Sequence, residues 1–383
     1  MTFPQVATDV ASEAAMGESI RAIQGSSELA VDVEADAMHA FRARLCFVQV
    51  ATDRDLFLFD TLAPGVSAQV LAAPFSDPAC TKYFHAAGGD LQYLAEAGVR
   101  VRGLFDTHRA ATLLGWPKVG LADLARERLQ VELAKEHQQS DFAVRPLPPE
   151  VRAYIADDVR YLCEIGRQVK EECRAQDILE EVELDCARLC AEAEARPDLG
   201  EFRPRLPRGS MSAAQYTLGM AIGTALHEKR LQWAEAANVP MGRMLSNAAV
   251  AAIAQRAPAN LKELSRLEGV RGAFTREHGE EVLDLVRRLV EQSRDGTLQV
   301  PEEKKGRRDP NRKKREDALK AFRSDKAAER KVTPSVVLPN ALVEDLCRLG
   351  AASPEEIGAL PYFGEKRKRL YAAELSELLA RYA

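Results

Sequence analysis

No stretch of this 383-residue chain approaches the roughly 18 consecutive apolar residues that a membrane-spanning helix needs. Its opening, MTFPQVATDVASEAAMGESI, has neither a basic start nor an apolar run. Neither a membrane span nor a secretion signal is therefore indicated, and the cytosol is the expected compartment. Cysteine is sparse: seven residues, odd in number and scattered, with no C-x-x-C pair. Cys186 and Cys190 share a helical i,i+4 spacing but have no matching histidine pair, so reduced, packed thiols are expected rather than a zinc site or a disulfide framework.

What is present is an ordinary globular composition, 46% hydrophobic, long enough for two or three domains. The net charge of -5 conceals an asymmetry. Lys304 to Lys331 carries 13 Lys and Arg against 5 Asp and Glu, one basic segment in an otherwise acidic protein. Such a segment is either a solvated helix or the grip for a polyanion.

Residues 1–28 read as a loosely specified leader with a short helix. A strand follows over Ser27 to Ala35, and RLCFVQVAT and DLFLFD form an antiparallel hairpin across a polar turn. KYFHAA reads as a fourth strand, and GGDLQYLAEAGV opens a helix with Asp90 in its first turn. Helices follow at DTHRAATLLG and LADLARERL. The Pro-rich loop KEHQQSDFAVRPLPP then feeds one long helix from Pro148 and Pro149 to Gln176. Strands with interleaved helices describe an α/β domain over 29–200, closed by a linker at 201–210. Beyond it the chain is helical and repeats. Shifting by 93 residues aligns MLSNAAVAAIAQRAPANLKELSRL with VLPNALVEDLCRLGAASPEEIGAL without a gap, so two copies of one module are expected at 211–294 and 310–383, joined by a basic linker at 295–309.

The chemistry centres on LAVDVEAD. Val31 and Val33 alternate with Asp32 and Glu34, which places both carboxylates on one strand face, about 7 Å apart. Alone, this reads as a solvent-facing acidic edge, which the rest of the chain has to overturn. Downstream stand Asp90, at the start of a helix that follows a strand, and Tyr154 with Asp158, at i,i+4 on one helix face; Asp157 points about 100° away. Four carboxylates and a tyrosine are the parts of a two-metal phosphodiester hydrolase, whose hard oxygen ligands select magnesium or manganese.

The ordered set D-V-E, H-A-A-G-G-D and Y-I-A-D-D resembles the three exonuclease motifs of the DEDD superfamily in its tyrosine-bearing branch, and the N-terminal half is similar to the ribonuclease D family. The loop residues Lys135, Ser140, Asp141, Arg145 and Pro146 extend the match. The helical modules resemble HRDC domains, nucleic-acid-binding units found in ribonuclease D and in RecQ helicases. The resemblance covers about residues 25–383. It implies a ribonuclease H-like exonuclease domain with a mixed sheet, followed by two all-α HRDC bundles. It further implies two divalent ions, Mg2+ or Mn2+, with Asp32, Glu34 and Asp158 on the catalytic ion, Asp32 bridging to the second, Asp90 supporting that second ion, and Tyr154 orienting the attacking water. Val33 stands where the family often has Thr and points to the core. Phe142 stands where it frequently has Trp, which bears on substrate positioning.

His85, Phe41, Arg42, Lys135 and Arg145 are candidate substrate contacts. A structural histidine and a plain hairpin crossing are the competing readings of His85 and of Phe41 with Arg42. Trp233 and Tyr362 are expected in module cores, and Lys229, Arg230, Lys366, Arg367 and Lys368 at phosphates. The implied activity is 3′–5′ trimming of structured RNA, tRNA precursors by resemblance, with release of nucleoside 5′-monophosphates and with neither a membrane nor an obligate protein partner. A DNA 3′–5′ exonuclease and a non-catalytic nucleic-acid scaffold are the alternatives.

Overall fold

A computed structural model describes residues 3–134, 136–195, 202–298 and 309–382. Two compact units make up the chain: one of Met1–Ala35, Leu45–Arg196 and Arg307–Ala383, the other of Asp36–Arg44 and Pro197–Gly306.

The first unit is built on one six-stranded mixed sheet: β1 (Ala7–Val10), β2 (Glu28–Ala35), β3 (Leu45–Ala51), β4 (Leu56–Asp60), β5 (Thr81–Phe84) and β6 (Leu104–Asp106), in the order β1-β4-β3-β2-β5-β6. β2, β3 and β4 form an antiparallel meander, while β1 on β4, β5 on β2 and β6 on β5 are parallel. The β3–β4 turn closes on Thr52, whose hydroxyl accepts from Arg54 N and Asp55 N at 3.2 and 3.0 Å. The segment expected to be a loose leader instead supplies edge strand β1 and helix α1 (Glu13–Ile23), which begins at Ser12, whose hydroxyl accepts from Ala15 N. β1 is only four residues long, too short to show a period-two pattern.

β2 pairs with β5 only through Glu28–Ala30, whereas its pairing with β3 runs on to Ala35. The carboxyl half of β2 therefore projects past β5. After β2 the chain turns to one side of the sheet and after β5 to the other, the switch point at which open α/β sheets bind ligands.

Helices α2 (Gly88–Glu96) and α3 (Thr107–Leu113) follow β5 and β6. The long helix expected from Pro148 is interrupted at Tyr161 (φ −106°, ψ −7°), giving α4 (Pro149–Arg160) and α5 (Leu162–Ala175). α4 lies over β2, β3 and β4, and α5 over β2 and β5. α5 comes so close to β5 that a Cβ at Gly166 would collide with the Tyr83 ring. Helix α6 (Leu179–Glu194) completes the layer. All seven cysteines are buried and free, as their scatter implied.

The second unit holds the first helical module, with α7 (Ala213–Ala236), α8 (Asn247–Arg256) and α9 (Gly272–Arg294) around a core of Ile222, Leu226, Val250, Ile253 and Val286. The second module, α10 (Arg312–Arg330), α11 (Asn340–Leu349) and α12 (Glu365–Ala380), belongs to the first unit. The two modules share a clamp. Arg230 donates to Leu245 O and Asn247 Oδ1 at 2.9 and 2.7 Å; Arg323, 93 residues on, donates to Leu338 O and Asn340 Oδ1 at 3.2 and 2.8 Å. The same shift relates the Trp233 N–H on Glu281 (3.0 Å) to Lys326 on Glu374 (2.9 Å), so the repeat extends over the long helices as well.

This packing corrects the assignment of module cations to phosphate. Arg230 and Arg367 are 1% and 2% exposed. Arg367 donates to Val336 O and Val337 O at 3.0 Å, satisfying carbonyls that the helix turn leaves open. Lys366, also buried, is held by Asp177 and Glu181 at 2.9 and 3.3 Å, and Lys229 by Glu281 at 2.5 Å. Lys368, by contrast, is exposed and pairs with Glu365 at 3.8 Å. Trp233 stacks half-buried on His278, 4.5 Å between ring centroids. Most described cations of the basic segment are internally engaged as well: Lys313 on Asp317, Lys320 on Glu316, Arg315 on Asp309, and Arg330 on Glu181. No helix among the described residues is long and apolar enough to cross a membrane.

Candidate active site

Asp32 and Glu34 stand on the projecting half of β2, with Leu29, Ala30 and Val31 wholly buried behind them and Val33 nearly so. α4 brings Asp158 over this strand. One oxygen from each of Asp32, Glu34 and Asp158 lies within 4.8 Å of the others, close enough for one ion to touch all three. Tyr154 stands one turn earlier on the same face of α4, where its hydroxyl and the Asp158 carboxyl each act on the other's proton. Asp90, in the first turn of α2, stands outside the triangle yet within its field: its charge acts on Glu34, and those of Asp32 and Asp158 act on it. Asp32, Glu34, Tyr154 and Asp158 line a cavity of about 510 Å³ with His85 and Gln138.

Burial pushes the carboxyls of all four acids far above their ordinary range, and repulsion from neighbouring carboxylates adds to it at Glu34, Asp90 and Asp158. Glu34 is raised first by burial and then by Asp32, Asp158 and Asp90 in turn. Burial and the adjacent carboxylates likewise keep Tyr154 protonated. Like charges gathered in a desolvated cleft destabilise the metal-free protein, and a divalent cation removes the conflict. The donors are all hard oxygens, the set that magnesium and manganese favour, so the residues fit the ions that the sequence implied.

Residues 8–174 match the family model of the 3′-5′ exonuclease domain, and residues 220–286 and 312–379 each match the HRDC domain. Ribonuclease D of Gluconacetobacter diazotrophicus is 32% identical over 331 residues, 85% of this chain and 81% of its own. The chain belongs to the ribonuclease D family. Family membership and the exonuclease domain make it a 3′–5′ exoribonuclease. Mouse exosome complex component 10 is 36% identical over 149 residues, 39% of this chain and 17% of its own. The crystal structure of Escherichia coli RNase D, 22% identical, superposes with a TM-score of 0.69 over 99% of this chain and 100% of its own, which shows the shared fold.

Within this ribonuclease D architecture the secondary candidates separate. His85 borders the cavity. The Thr107 hydroxyl donates its one proton to Phe84 O (3.0 Å), so its oxygen accepts from His85 Nδ1 (2.9 Å), which leaves Nε2 as an acceptor. Burial, opposed by Asp106 and reinforced by His108, holds the imidazole down to about 4. Relative to an unfolded histidine near 6.5, the folded state resists protonation, so His85 lowers stability as pH falls from about 6.5 to 4. The stability difference between the parent and His85→Gln should therefore shrink from pH 7.5 to pH 4.5 in urea titrations; a pH-independent difference would contradict the assignment.

Arg145 is committed within the protein. It grips Asp60 with two nitrogens at 2.6 and 2.7 Å and lies 4.2 Å over the Phe47 ring, fastening the loop to the sheet. Phe142 beside it is buried. Phe41 and Arg42 belong to the second unit, where the Phe41 N–H donates to Asn238 Oδ1 at 3.3 Å and Arg42 pairs with Glu235 at 2.9 Å. Lys135 lies outside the described residues.

A residue that the sequence did not flag is Asp106. Its buried carboxylate accepts from Ala86 N and Ala87 N at 3.0 and 2.9 Å and from His108 N and Arg109 N at 2.9 and 3.1 Å. One side chain thus caps α3 and pins the left-handed turn at Ala86 (φ 62°) that leads to Asp90. The N-cap position of Asp in FDTH was its one legible signal.

Proposed function

We propose that this exoribonuclease trims the single-stranded 3′ ends of structured RNA, transfer RNA precursors among them, in the cytosol, and releases nucleoside 5′-monophosphates with two divalent ions, Mg2+ or Mn2+. The observation that carries the reading is the approach of Asp32, Glu34 and Asp158 to within 4.8 Å of one another. These three carboxylates would hold one ion, with Asp32 shared with a second that Asp90 supports. When bound, the ions supply the positive charge that acidifies water and stabilises the attacking and leaving oxygens of an in-line displacement. Tyr154, kept protonated by burial and by Asp158, would turn its proton toward that carboxylate, which leaves its phenolic oxygen to accept from the attacking water and orient it. The α4 backbone fixes both groups one turn apart. A cavity of about 510 Å³ suits one terminal nucleotide, in keeping with stepwise removal. The Nε2 acceptor of His85 suits a ribose hydroxyl, which supports RNA over DNA.

The name of the E. coli RNase D structure describes an exoribonuclease involved in structured RNA processing, which supports the same substrate class. The test is digestion of a hairpin RNA with a single-stranded 3′ tail and of its DNA counterpart, with Mg2+, with Mn2+ and with chelator. Metal-dependent release of 5′-phosphorylated mononucleotides, faster from RNA, is expected. Release of 3′-phosphates, or equal digestion of DNA, would overturn the reading.

A further inference from the structure

Gln49 is the most anomalous buried group near the site. It lies in β3, is 0% exposed, and neither its amide oxygen nor its amide nitrogen finds a hydrogen-bond partner among the described residues. Buried amides normally have partners, because an unpaired one loses its hydration without replacement. A methyl-bearing side chain of equal length would fill the same space without that penalty, so packing alone does not explain a glutamine here.

Its position does. In the antiparallel β2–β3 register Gln49 stands directly opposite Asp32, so both side chains leave the same face of the sheet, with Cβ atoms about 5 Å apart. That face is covered by α4, the helix of Tyr154 and Asp158. The cover is bracketed along β3: Arg145, just before α4, lies over Phe47, and Cys163, just after it, reaches Ala51 O at 3.8 Å. Gln49 falls midway, beneath the helix and beside the carboxylate triangle.

We propose that Gln49 is a positioning residue for Asp32, its amide N–H donating, directly or through one buried water, to the carboxylate lone pair that a bound divalent ion leaves free. A carboxylate offers about four lone-pair sites, and an ion shared with Glu34 and Asp158 uses only some of them. A donor on the far side fixes which oxygen faces the ion and compensates the charge kept out of water. This inference rests on the metal reading above.

The experiment is calorimetric titration of Mn2+ into the full chain and into Gln49→Met and Gln49→Leu, with urea unfolding of all three proteins in chelator. Removing a donor of this kind weakens metal affinity roughly tenfold or more, while deleting two unpaired polar atoms leaves the metal-free urea midpoint equal to or above that of the parent. Unchanged Mn2+ affinity in both variants would overturn the proposal, as would a metal-free midpoint that falls in step with affinity, the mark of a packing role. If the parent itself binds no Mn2+, it is the metal reading that fails.

Discussion

Asp158→Asn is expected to slow metal-dependent nucleotide release by about a thousandfold or more. An ion coordinated at a reacting phosphoryl group contributes several kcal/mol to the barrier, and each 1.36 kcal/mol is a factor of ten in rate. Asparagine keeps the shape of the side chain, so RNA binding should persist in gel-shift titrations. The same substitution removes one of the mutually repelling carboxylates whose protonation is driven by burial and by Asp32. In chelator its melting temperature should therefore match or exceed that of the parent, while the increase produced by added Mn2+ should shrink. Loss of activity with a loss of metal-free stability would signal damaged folding instead, and retained activity would show that the third motif lies elsewhere.

The second large effect is expected away from the chemistry. Glu181 of α6 is fully buried and takes Arg330 and Lys366 of the second helical module at 3.1 and 3.3 Å. Arg330 also donates to the Tyr371 hydroxyl at 2.8 Å, and Thr333 donates to Leu113 O at 2.9 Å, so the module is stitched to the exonuclease sheet layer. Glu181→Ala leaves two partly desolvated cations facing each other, and breaking one side of a buried ion cluster costs roughly 3–5 kcal/mol. A fall of about 3 kcal/mol in urea stability is expected, the low end because Asp177 and Tyr371 remain. Glu181→Gln, which keeps the shape and one acceptor, should lose less. A change within the ordinary range of a surface substitution, about 0.5 kcal/mol, would show that the ion cluster is dispensable.

Short-range patterns carried the sheet strands that read clearly in the chain. β2, β3, β4 and β5 are dense in β-branched and aromatic residues, and Asp32 with Glu34 stood out because alternation exposes a face. β1 and β6 were missed because ATDV has neither an aromatic residue nor a long apolar side chain and LFD is only three residues, so their place comes from pairing with distant strands. The acidic triangle was legible because its members lie in two short local motifs, Asp32 and Glu34 in one and Asp158 in the other. The residues behind it were not, since Gln49 comes opposite Asp32 through cross-strand register and the Ala86 and Ala87 N–H groups reach Asp106 only in the tertiary fold. Charge was the most misleading local signal. Lys366, Arg367 and Arg230 look like phosphate contacts in sequence, yet they are internal fasteners, because a long cation that finds a buried carboxylate or a bare carbonyl is held within the protein.

Whether Asp32, Glu34 and Asp158 hold a divalent metal is decided by anomalous diffraction from crystals of the full chain soaked in Mn2+. A peak bounded by those three carboxylates is expected, with a second displaced toward Asp90. Ordered Mn2+ elsewhere on the protein, with none between Asp32, Glu34 and Asp158, would contradict it.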